Sequence, residues 1–219
     1  MSVVNTRDRT INTKIVYYGP GLGGKTSSLA SVHQQLDPTG ETPLVRLQTD
    51  EESTLFFDYL PLALGPFDGY RLKIQAFTVP GQVKYNLTRR YVLLGVDAVI
   101  FVADSSPSRL GDNLESLESL RGNLESNGID PVSVPLVFQW NKRDLPDVTP
   151  IETLSSRLNP ELLPAFPTCA IRDLGTFDAF VAATRAMVDS VARRYHLSNP
   201  GESLGEIAAR HLSSRTRST

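Results

Sequence analysis

A glycine-rich octapeptide between a strand-like and a helix-like segment constrains the fold of this chain more than any other feature. Residues 19–26 are Gly-Pro-Gly-Leu-Gly-Gly-Lys-Thr and match the phosphate-loop pattern G-x-x-x-x-G-K-[ST] at every specified position. Residues 14–18 before it are typical of a short buried strand, and residues 25–36 after it have helical composition. Because glycines let backbone N–H groups turn towards an anion at a helix amino end, the segment predicts a phosphate site.

Lys25 and Thr26 close this loop and would carry its contacts with a nucleotide. The Lys25 amine would reach the β- and γ-phosphate oxygens, and the Thr26 hydroxyl would ligate Mg²⁺. The alternative is a plain glycine-rich turn between a strand and a helix, which the complete motif and its flanks disfavour.

Strand-like and helix-like segments alternate along the rest of the chain. Strands are expected at 44–49, 70–79, 98–103 and 134–140, with Pro61 and Gly65-Pro66 separating the first two. Helices are expected at 110–127, at 175–196 and at 204–212. A further helix is expected to begin at a capping box formed by residues 149–152. One face of the 110–127 helix carries a leucine stripe that is expected in the core, formed by Leu114, Leu117, Leu120 and Leu124. The alternation predicts an α/β fold with a mainly parallel central sheet flanked by helices.

The segment Asn141-Lys-Arg-Asp144 follows an apolar strand and matches the guanine-recognition pattern N-K-x-D. The Asp144 carboxylate can accept hydrogen bonds from guanine N1–H and the 2-amino group, which adenine does not present. Lys142 would lay its stem over the base plane. Residues 168–170 are a candidate for a second base-side loop with a backbone N–H for the guanine oxygen, and a short edge strand is the alternative. Together with the phosphate loop, these residues predict a guanine-nucleotide site and disfavour an ATP-using enzyme such as a kinase.

Composition and charge exclude several other classes of protein. The 22 Lys+Arg and 24 Asp+Glu residues give a formal charge of −2, which disfavours a broadly basic nucleic-acid binder. A single cysteine, Cys169, excludes a disulfide framework and fits a reducing compartment. The longest apolar stretch, residues 92–103, is too short to span a membrane and contains Asp97. We therefore expect a cytoplasmic protein with no nucleic-acid partner and no stable membrane insertion.

Five segments narrow the assignment further. They are 17–22 (Tyr-Tyr-Gly-Pro-Gly-Leu), 54–61 (Thr-Leu-Phe-Phe-Asp-Tyr-Leu-Pro), 78–82 (Thr-Val-Pro-Gly-Gln), 95–104 (Gly-Val-Asp-Ala-Val-Ile-Phe-Val-Ala-Asp) and 141–146 (Asn-Lys-Arg-Asp-Leu-Pro). In most small GTPases the third of these segments begins with aspartate, where this chain has Thr78. Together the segments resemble the bacterial MglA family of Ras-like GTPases, which control gliding motility and cell polarity. The resemblance covers residues 5–195.

The resemblance implies a three-layer P-loop GTPase domain, the G domain, over residues 1–197. Residues 198–219 would form an extension with a short helix and a frayed tail. The implied ligands are GTP or GDP with Mg²⁺. The implied partners are an activating roadblock-fold protein of the MglB type, and polarity or motility effectors that bind the switch regions. Such partners would recruit the protein from the cytoplasm to the cell pole or to membrane-associated complexes.

The resemblance also assigns roles to individual residues. Thr54 would be the switch I threonine that contacts Mg²⁺ and the γ-phosphate, and Gly21 would keep the loop thin beside that phosphate. Gly81 would donate its N–H to the γ-phosphate, and Gln82 would orient the attacking water. The implied catalytic residues are Gln82, Lys25 and Gly81, and the implied metal ligands are Thr26 and Thr54. The implied nucleotide-binding residues are Gly19, Gly21, Leu22, Gly23, Gly24, Lys25, Thr26, Ser27, Thr54, Gly81, Asn141, Lys142, Asp144, Cys169 and Ala170.

Ser53 is the main departure from the family pattern. Motile-type members carry an arginine there that acts as an intrinsic finger, and a finger is worth about 10³–10⁵ in rate. Arg46, Arg89 and Arg90 could substitute, but the sequence does not show that any of them reaches the phosphate. We therefore expect slow hydrolysis, with a hydrolysis-weak, GTP-bound scaffold in a motility, polarity or secretion assembly as the second hypothesis. Drift at a tolerant loop position is the alternative explanation of Ser53.

Overall fold

The computed structural model of the chain describes residues 3–5, 7–39, 44–48, 56–67, 69–81, 85–199 and 201–216. Its strands are β1 (Val3–Asn5), β2 (Thr10–Tyr18), β3 (Val45–Gln48), β4 (Phe56–Phe67), β5 (Tyr70–Thr78), β6 (Ala98–Asp104), β7 (Leu136–Asn141) and β8 (Ala165–Pro167). Its α-helices are α1 (Lys25–Leu36), α2 (Asn86–Leu93), α3 (Leu110–Ser126), α4 (Ile151–Leu158), α5 (Thr176–Tyr195) and α6 (Leu204–Arg215). Short 3₁₀ turns lie at Pro107–Arg109, Pro131–Ser133 and Ala170–Arg172.

The strands form one sheet in the order β3-β4-β5-β2-β6-β7-β8, and β1 pairs with β2 outside this order. Strands β5, β2, β6, β7 and β8 pair in parallel. The pairs β3–β4, β4–β5 and β1–β2 are antiparallel. Because the parallel strands end at one edge of the sheet, the loops that follow β2, β5, β6 and β7 meet there. The mainly parallel sheet of the α/β fold prediction is therefore confirmed.

Helices cover both faces of the sheet and divide the core into two clusters. Neighbouring residues of β2 point to opposite faces, so Ile15 belongs to the cluster that includes residues of α1, α5 and α6, whereas Val16 belongs to the cluster that includes residues of α2, α3 and α4. The second cluster contains three leucines of the predicted stripe, each at most 4% exposed, and the fourth packs against it: Leu117, Leu120 and Leu124, then Leu114. The three-layer arrangement and the core position of this stripe agree with the sequence predictions.

Strand β4 runs through the prolines that were expected to separate two strands. Pro61 and Pro66 lie inside β4, and the register against β5 shifts between Leu64 and Pro66. Among the described residues, the pairing of β4 with β3 ends at Tyr59, and the proline-containing part is paired there with β5 alone. Proline lacks an N–H for the ladder and is tolerated on such edges and at bulges. The predicted break at Pro61 and Gly65 is wrong for this reason.

Smaller differences concern the ends and the number of elements. Helix α4 begins at Ile151 with Pro150 as its N-cap, so the predicted capping box does not form. Helix α6 continues to Arg215, beyond the expected end at Leu212. Strand β1 and helix α2 were not predicted, because elements of 3 and 8 residues are too short for a clear periodic pattern. None of the helices within the described ranges combines the length and the apolarity that a bilayer crossing requires.

Helix α6 packs against α5 and β4 and adds side chains to the first core cluster. Its buried residues in that cluster are Leu204, Ala208 and Leu212. The Gly205 N–H donates to Asp189 Oδ1 on α5 at 3.0 Å, and a Cβ at Gly205 would overlap the same carboxylate. The glycine therefore permits the close approach of the two helices. The division of the chain after residue 197 stays a prediction.

Replacing Leu212 by alanine is expected to lower the free energy of unfolding by about 2–5 kcal/mol, because it leaves a cavity under α6. Leu212 is fully buried, whereas Ser214 on the same helix is exposed. The matched control Ser214→Ala should change stability by less than about 0.5 kcal/mol. Urea unfolding at constant pH measures both variants, and equal losses would show that α6 does not contribute to the core.

Candidate functional site

The loop between β2 and α1 is held at the carboxyl edge of the sheet by two close approaches of its backbone. Gly19 has φ +143°, and a Cβ there would overlap the carbonyl oxygen of Val102 on β6. Gly24 has φ +100°, and a Cβ there would overlap the side-chain amide of Asn141. A side chain at either position would strain the backbone and push the loop away from its neighbours. These motif glycines are therefore required by the geometry of the loop.

The Lys25 side chain is folded into the loop and is 6% exposed. Its Nζ donates to the carbonyl oxygens of Gly19 at 3.1 Å and Pro20 at 2.7 Å. Burial lowers the pKa of Lys25 to about 7, and the positive charge of Arg89 acts in the same direction. A phosphate group would favour the charged amine again, so the site is electrostatically prepared for an anion.

A cleft of about 310 Å³ opens beside Lys25. It is lined by Leu22, Gly24, Lys25, Thr26, Ser27, Thr78, Val79, Pro80 and Gly81. Gly81 lies against the loop, because a Cβ on it would overlap Gly21 and approach Lys25 Nζ to 2.8 Å. The structure therefore brings Gly81, Thr26 and Ser27 together around Lys25. Ser53, Thr54 and Gln82, to which the sequence assigns switch I and catalytic roles, lie outside the described residues.

The side-chain amide of Asn141 ties the base-side segment to the phosphate loop. Its Nδ2 donates to Gly23 O at 2.9 Å. Its Oδ1 accepts from Thr168 Oγ1 and from the Ala170 N–H, each at 3.1 Å. Strand β8 ends at Pro167, so residues 168–170 lie in the loop after β8 rather than in the alternative edge strand. The role of this loop in contacting a base stays a prediction.

Asp144 carries an ionised carboxylate next to this loop. Its Oδ1 accepts from Cys169 Sγ at 3.1 Å, and this hydrogen bond holds the pKa of Asp144 below its usual range. Burial, followed by the contact with Asp144, raises the pKa of the Cys169 thiol. The thiol therefore stays protonated and donates, while the carboxylate can accept further N–H groups.

A second cleft, of about 190 Å³, lies beside Asp144. It is lined by Leu22, Gly24, Ser27, Asn141, Lys142, Asp144, Leu145, Ala170 and Ile171. The two clefts share Leu22, Gly24 and Ser27 and so form one groove along the loop. Most of the nucleotide-binding residues implied by the sequence therefore meet in one groove. Gly19, Gly21 and Gly23 support the groove from the loop backbone, and Cys169 supports it from behind Asp144.

Asp58 is a residue of this site that the sequence analysis missed. Thr78 Oγ1 donates to Asp58 Oδ2 at 3.2 Å and accepts from the Asp58 N–H at 2.8 Å. Both residues are at least nine-tenths buried, and Thr78 lines the phosphate end of the groove. A carboxylate thus lies one hydrogen bond away from the position where most small GTPases carry aspartate. Only the pairing of β4 with β5 could have revealed it.

Asp104 and Arg109 were also missed, and both contact residues of the groove. Arg109 Nη2 donates to Gly21 O at 2.7 Å. Asp104, the last residue of β6, accepts from Lys142 Nζ at 2.7 Å. The position of Asp104 at the carboxyl end of a central parallel strand was the available signal for it.

Two of the three arginines considered as substitutes for a finger form hydrogen bonds with helix α3. Arg89 Nη2 donates to Ser116 Oγ on α3 at 2.9 Å, and its guanidinium lies 4.3 Å from the centre of the Tyr18 ring. Arg90 bonds Ser126 O and Asn127 Oδ1 at the other end of α3. The side chain of Arg46 lies outside the described residues.

Comparison with known proteins gave one relative that aligns with most of the chain. The "Mutual gliding-motility protein MglA" of Myxococcus xanthus (strain DK1622) is 42% identical over 193 residues. These residues are 88% of this chain and 99% of the relative. No profile of a known protein family matches the chain.

We expect Lys25 to take up a proton when GDP binds, because the pKa of its amine is low in the empty site. The empty site has a pKa of about 7, and an anion raises it, so uptake should be large near pH 8 and small near pH 6. The affinity should accordingly fall as pH rises above about 7. Calorimetry in two buffers of different ionisation enthalpy, with excess chelator, measures the uptake. The control Lys25→Arg keeps a permanent charge, and equal uptake in this variant would contradict the assignment to Lys25.

Proposed function

Because this chain belongs to the MglA family of small GTPases, we propose that it is a molecular switch that alternates between GTP-bound and GDP-bound states and hydrolyses GTP slowly. The observation that carries the proposal is the continuous groove with Lys25 at one end and Asp144 at the other. An anion-ready amine and an ionised carboxylate in one groove suit a ligand with phosphates at one end and N–H donors at the other.

The base end of the groove supports guanine. Guanine offers N1–H and a 2-amino group side by side, and the ionised Asp144 accepts from such donors. A base without these donors would leave the carboxylate unpaired, which is a strong source of discrimination. The Cys169 thiol holds one carboxylate oxygen in place for this purpose. Lys142 would cover the face of the base from the same cleft.

The phosphate end supports a complex of GTP with Mg²⁺. Lys25 would bind the β- and γ-phosphates, and Thr26 and Thr54 would ligate the metal. The donor chemistry fits, because the Thr26 hydroxyl and the Asp58 carboxylate behind Thr78 are the hard oxygen groups that Mg²⁺ prefers. Bound Mg²⁺ would neutralise the charge on the phosphate oxygens.

Hydrolysis in this proposal uses Gly81, Lys25 and Gln82. Gly81 would donate its N–H to the γ-phosphate next to Lys25, and Gln82 would orient the attacking water. Ser53 replaces the arginine that would stabilise the transition-state charge, so turnover should be slow. An activating roadblock-domain protein of the MglB type and effectors that bind the switch regions would complete the cycle. The switch would act in the cytoplasm, with recruitment to the cell pole, in gliding motility or polarity.

A GTP-bound scaffold with weak hydrolysis is the second candidate function. Ser53 favours it, because this residue follows the acidic run 50–52 and offers no positive charge. Such a protein would hold a motility, polarity or secretion assembly together for as long as GTP stays bound. The presence of Gln82 favours the slow switch over this scaffold.

Replacing Asp144 by asparagine is expected to weaken GDP binding by about 10–100-fold, which corresponds to one lost hydrogen bond to a charged group. The same change should raise the affinity for xanthosine diphosphate, because its 2-oxo group suits an amide donor. Competition against a fluorescent nucleotide measures both affinities. Asp147→Asn, an exposed position in the same loop, is the control. An unchanged order of preference in Asp144→Asn would refute the role of Asp144 in reading the base.

Replacing Ser53 by arginine is expected to raise partner-stimulated GTP hydrolysis by about tenfold or more, because it restores a finger. Single-turnover hydrolysis with and without a purified MglB-type protein measures the effect. Ser53→Lys supplies the charge without the planar fork and should gain less. Strong stimulation of the native chain would favour the switch, whereas slow turnover that only Ser53→Arg accelerates would favour the scaffold. No gain in Ser53→Arg would contradict the finger argument.

A further inference from the structure

We propose that Asp104 and Arg109 form a latch between the two ends of the groove, which slows the release of a bound nucleotide. The proposal rests on the guanine-nucleotide function proposed above. The latch is a chain of contacts from Gly21 O through Arg109 and Asp104 to Lys142.

Asp104 provides a rigid centre for this chain of contacts. It is 1% exposed, and its backbone is clamped by the Asn113 side chain, which accepts from Asp104 N at 2.9 Å and donates to Asp104 O at 2.8 Å. Its Oδ1 accepts from the N–H and the hydroxyl of Ser106 at 3.0 and 2.7 Å. These contacts leave Oδ2 to face the two cations.

The first cation comes from the base end of the groove. Lys142 Nζ lies 2.7 Å from Asp104 Oδ2, and Lys142 also lines the cleft beside Asp144. Its backbone has φ +66°, a conformation that residues other than glycine rarely adopt. The ion pair therefore fixes a side chain whose backbone is itself under strain.

The second cation is the Arg109 guanidinium, which contacts the phosphate loop. Arg109 Nη2 donates to Gly21 O at 2.7 Å, and its Nε lies 3.8 Å from the same Asp104 Oδ2. Asp112 pairs with Arg109 from the first turn of α3. The planar guanidinium can serve several acceptors at once in fixed directions, which an ammonium cannot do to the same extent.

The shared carboxylate is what couples the two ends. Burial raises the pKa of Asp104, but the hydrogen bonds from Lys142 and Ser106 outweigh it and keep the pKa below its usual range. The carboxylate is thus charged at neutral pH. Moving Lys142 or Arg109 away would leave a buried charge with fewer partners, which is unfavourable. Opening of the base end therefore becomes less favourable while the phosphate end is closed, and the reverse holds by linkage.

The release rate of a fluorescent GDP tests the latch in the full chain. Arg109→Met and Asp104→Asn are each expected to accelerate release by about 5–150-fold, the range typical of coupled sites. Because both changes break one chain of contacts, the double variant should release GDP no more than about twofold faster than the faster single variant. The control Arg121→Met lies on the same helix, where Arg121 is half exposed and 3.9 Å from Glu161. This control should stay within about twofold of the native chain.

The preference for GDP over inosine diphosphate separates a latch from simple support of the loop. Inosine diphosphate lacks the 2-amino group, so the ratio of the two affinities reports how well the base is held against Asp144. Arg109 contacts the phosphate loop and does not line the base cleft, so a supporting role alone would leave this ratio unchanged. The latch predicts that Arg109→Met lowers the ratio by about threefold or more.

Faster release with an unchanged ratio, or unchanged release, would overturn the latch. Urea unfolding of the nucleotide-free variants shows whether they are folded, and the partly exposed Arg109 keeps the test available if Asp104→Asn unfolds. A native chain that binds no guanine nucleotide would instead overturn the proposed function. If the native chain binds GDP and the variants release it at the native rate, the latch alone would be overturned.

Discussion

The buried side-chain amide of Asn141 is the interaction on which the groove depends. Its nitrogen bonds the phosphate loop at Gly23, and its oxygen bonds both Thr168 and Ala170 in the loop after β8. Each bond lost in a buried amide costs about 1–3 kcal/mol, so all three segments are held in one arrangement. This arrangement also requires glycine at residue 24, because the Asn141 amide occupies the space that a side chain there would need.

Sequence patterns with local geometry predicted much of the fold and of the candidate site. The phosphate loop and the Asn141–Asp144 segment carry their own turn chemistry, and both follow parallel strands, so they could be placed at one edge of the sheet. The features that were missed depend on pairing between strands or on long side chains. Asp58 meets Thr78 only because β4 pairs with β5, and Arg109 reaches Gly21 across 88 residues of sequence.

The antiparallel half of the sheet shows why such features are hard to predict. A proline within an apolar run normally argues against a strand, but β4 tolerates Pro61 because, in the part of the chain that the structure describes, its pairing with β3 has already ended at Tyr59. The length of β3 thus decides whether the proline is allowed, and nothing near Pro61 in the sequence encodes that length. Strands β6 and β7 of the parallel half show no comparable ambiguity, because they are mainly apolar and almost wholly buried between the two helical layers.

The positively charged side chains along the groove have two kinds of hydrogen-bond and ion-pair partner. Lys142 and Arg109 both face the Asp104 carboxylate, whereas the bonds of Lys25 go to backbone carbonyl oxygens. With a pKa of about 7, a large fraction of the Lys25 amine in the empty protein carries a lone pair at neutral pH. A neutral lysine amine is a nucleophile and reacts with acylating reagents, whereas its ammonium form does not. An anion in the groove therefore shifts this lysine towards its ammonium form, and loss of the anion shifts it back towards the neutral amine.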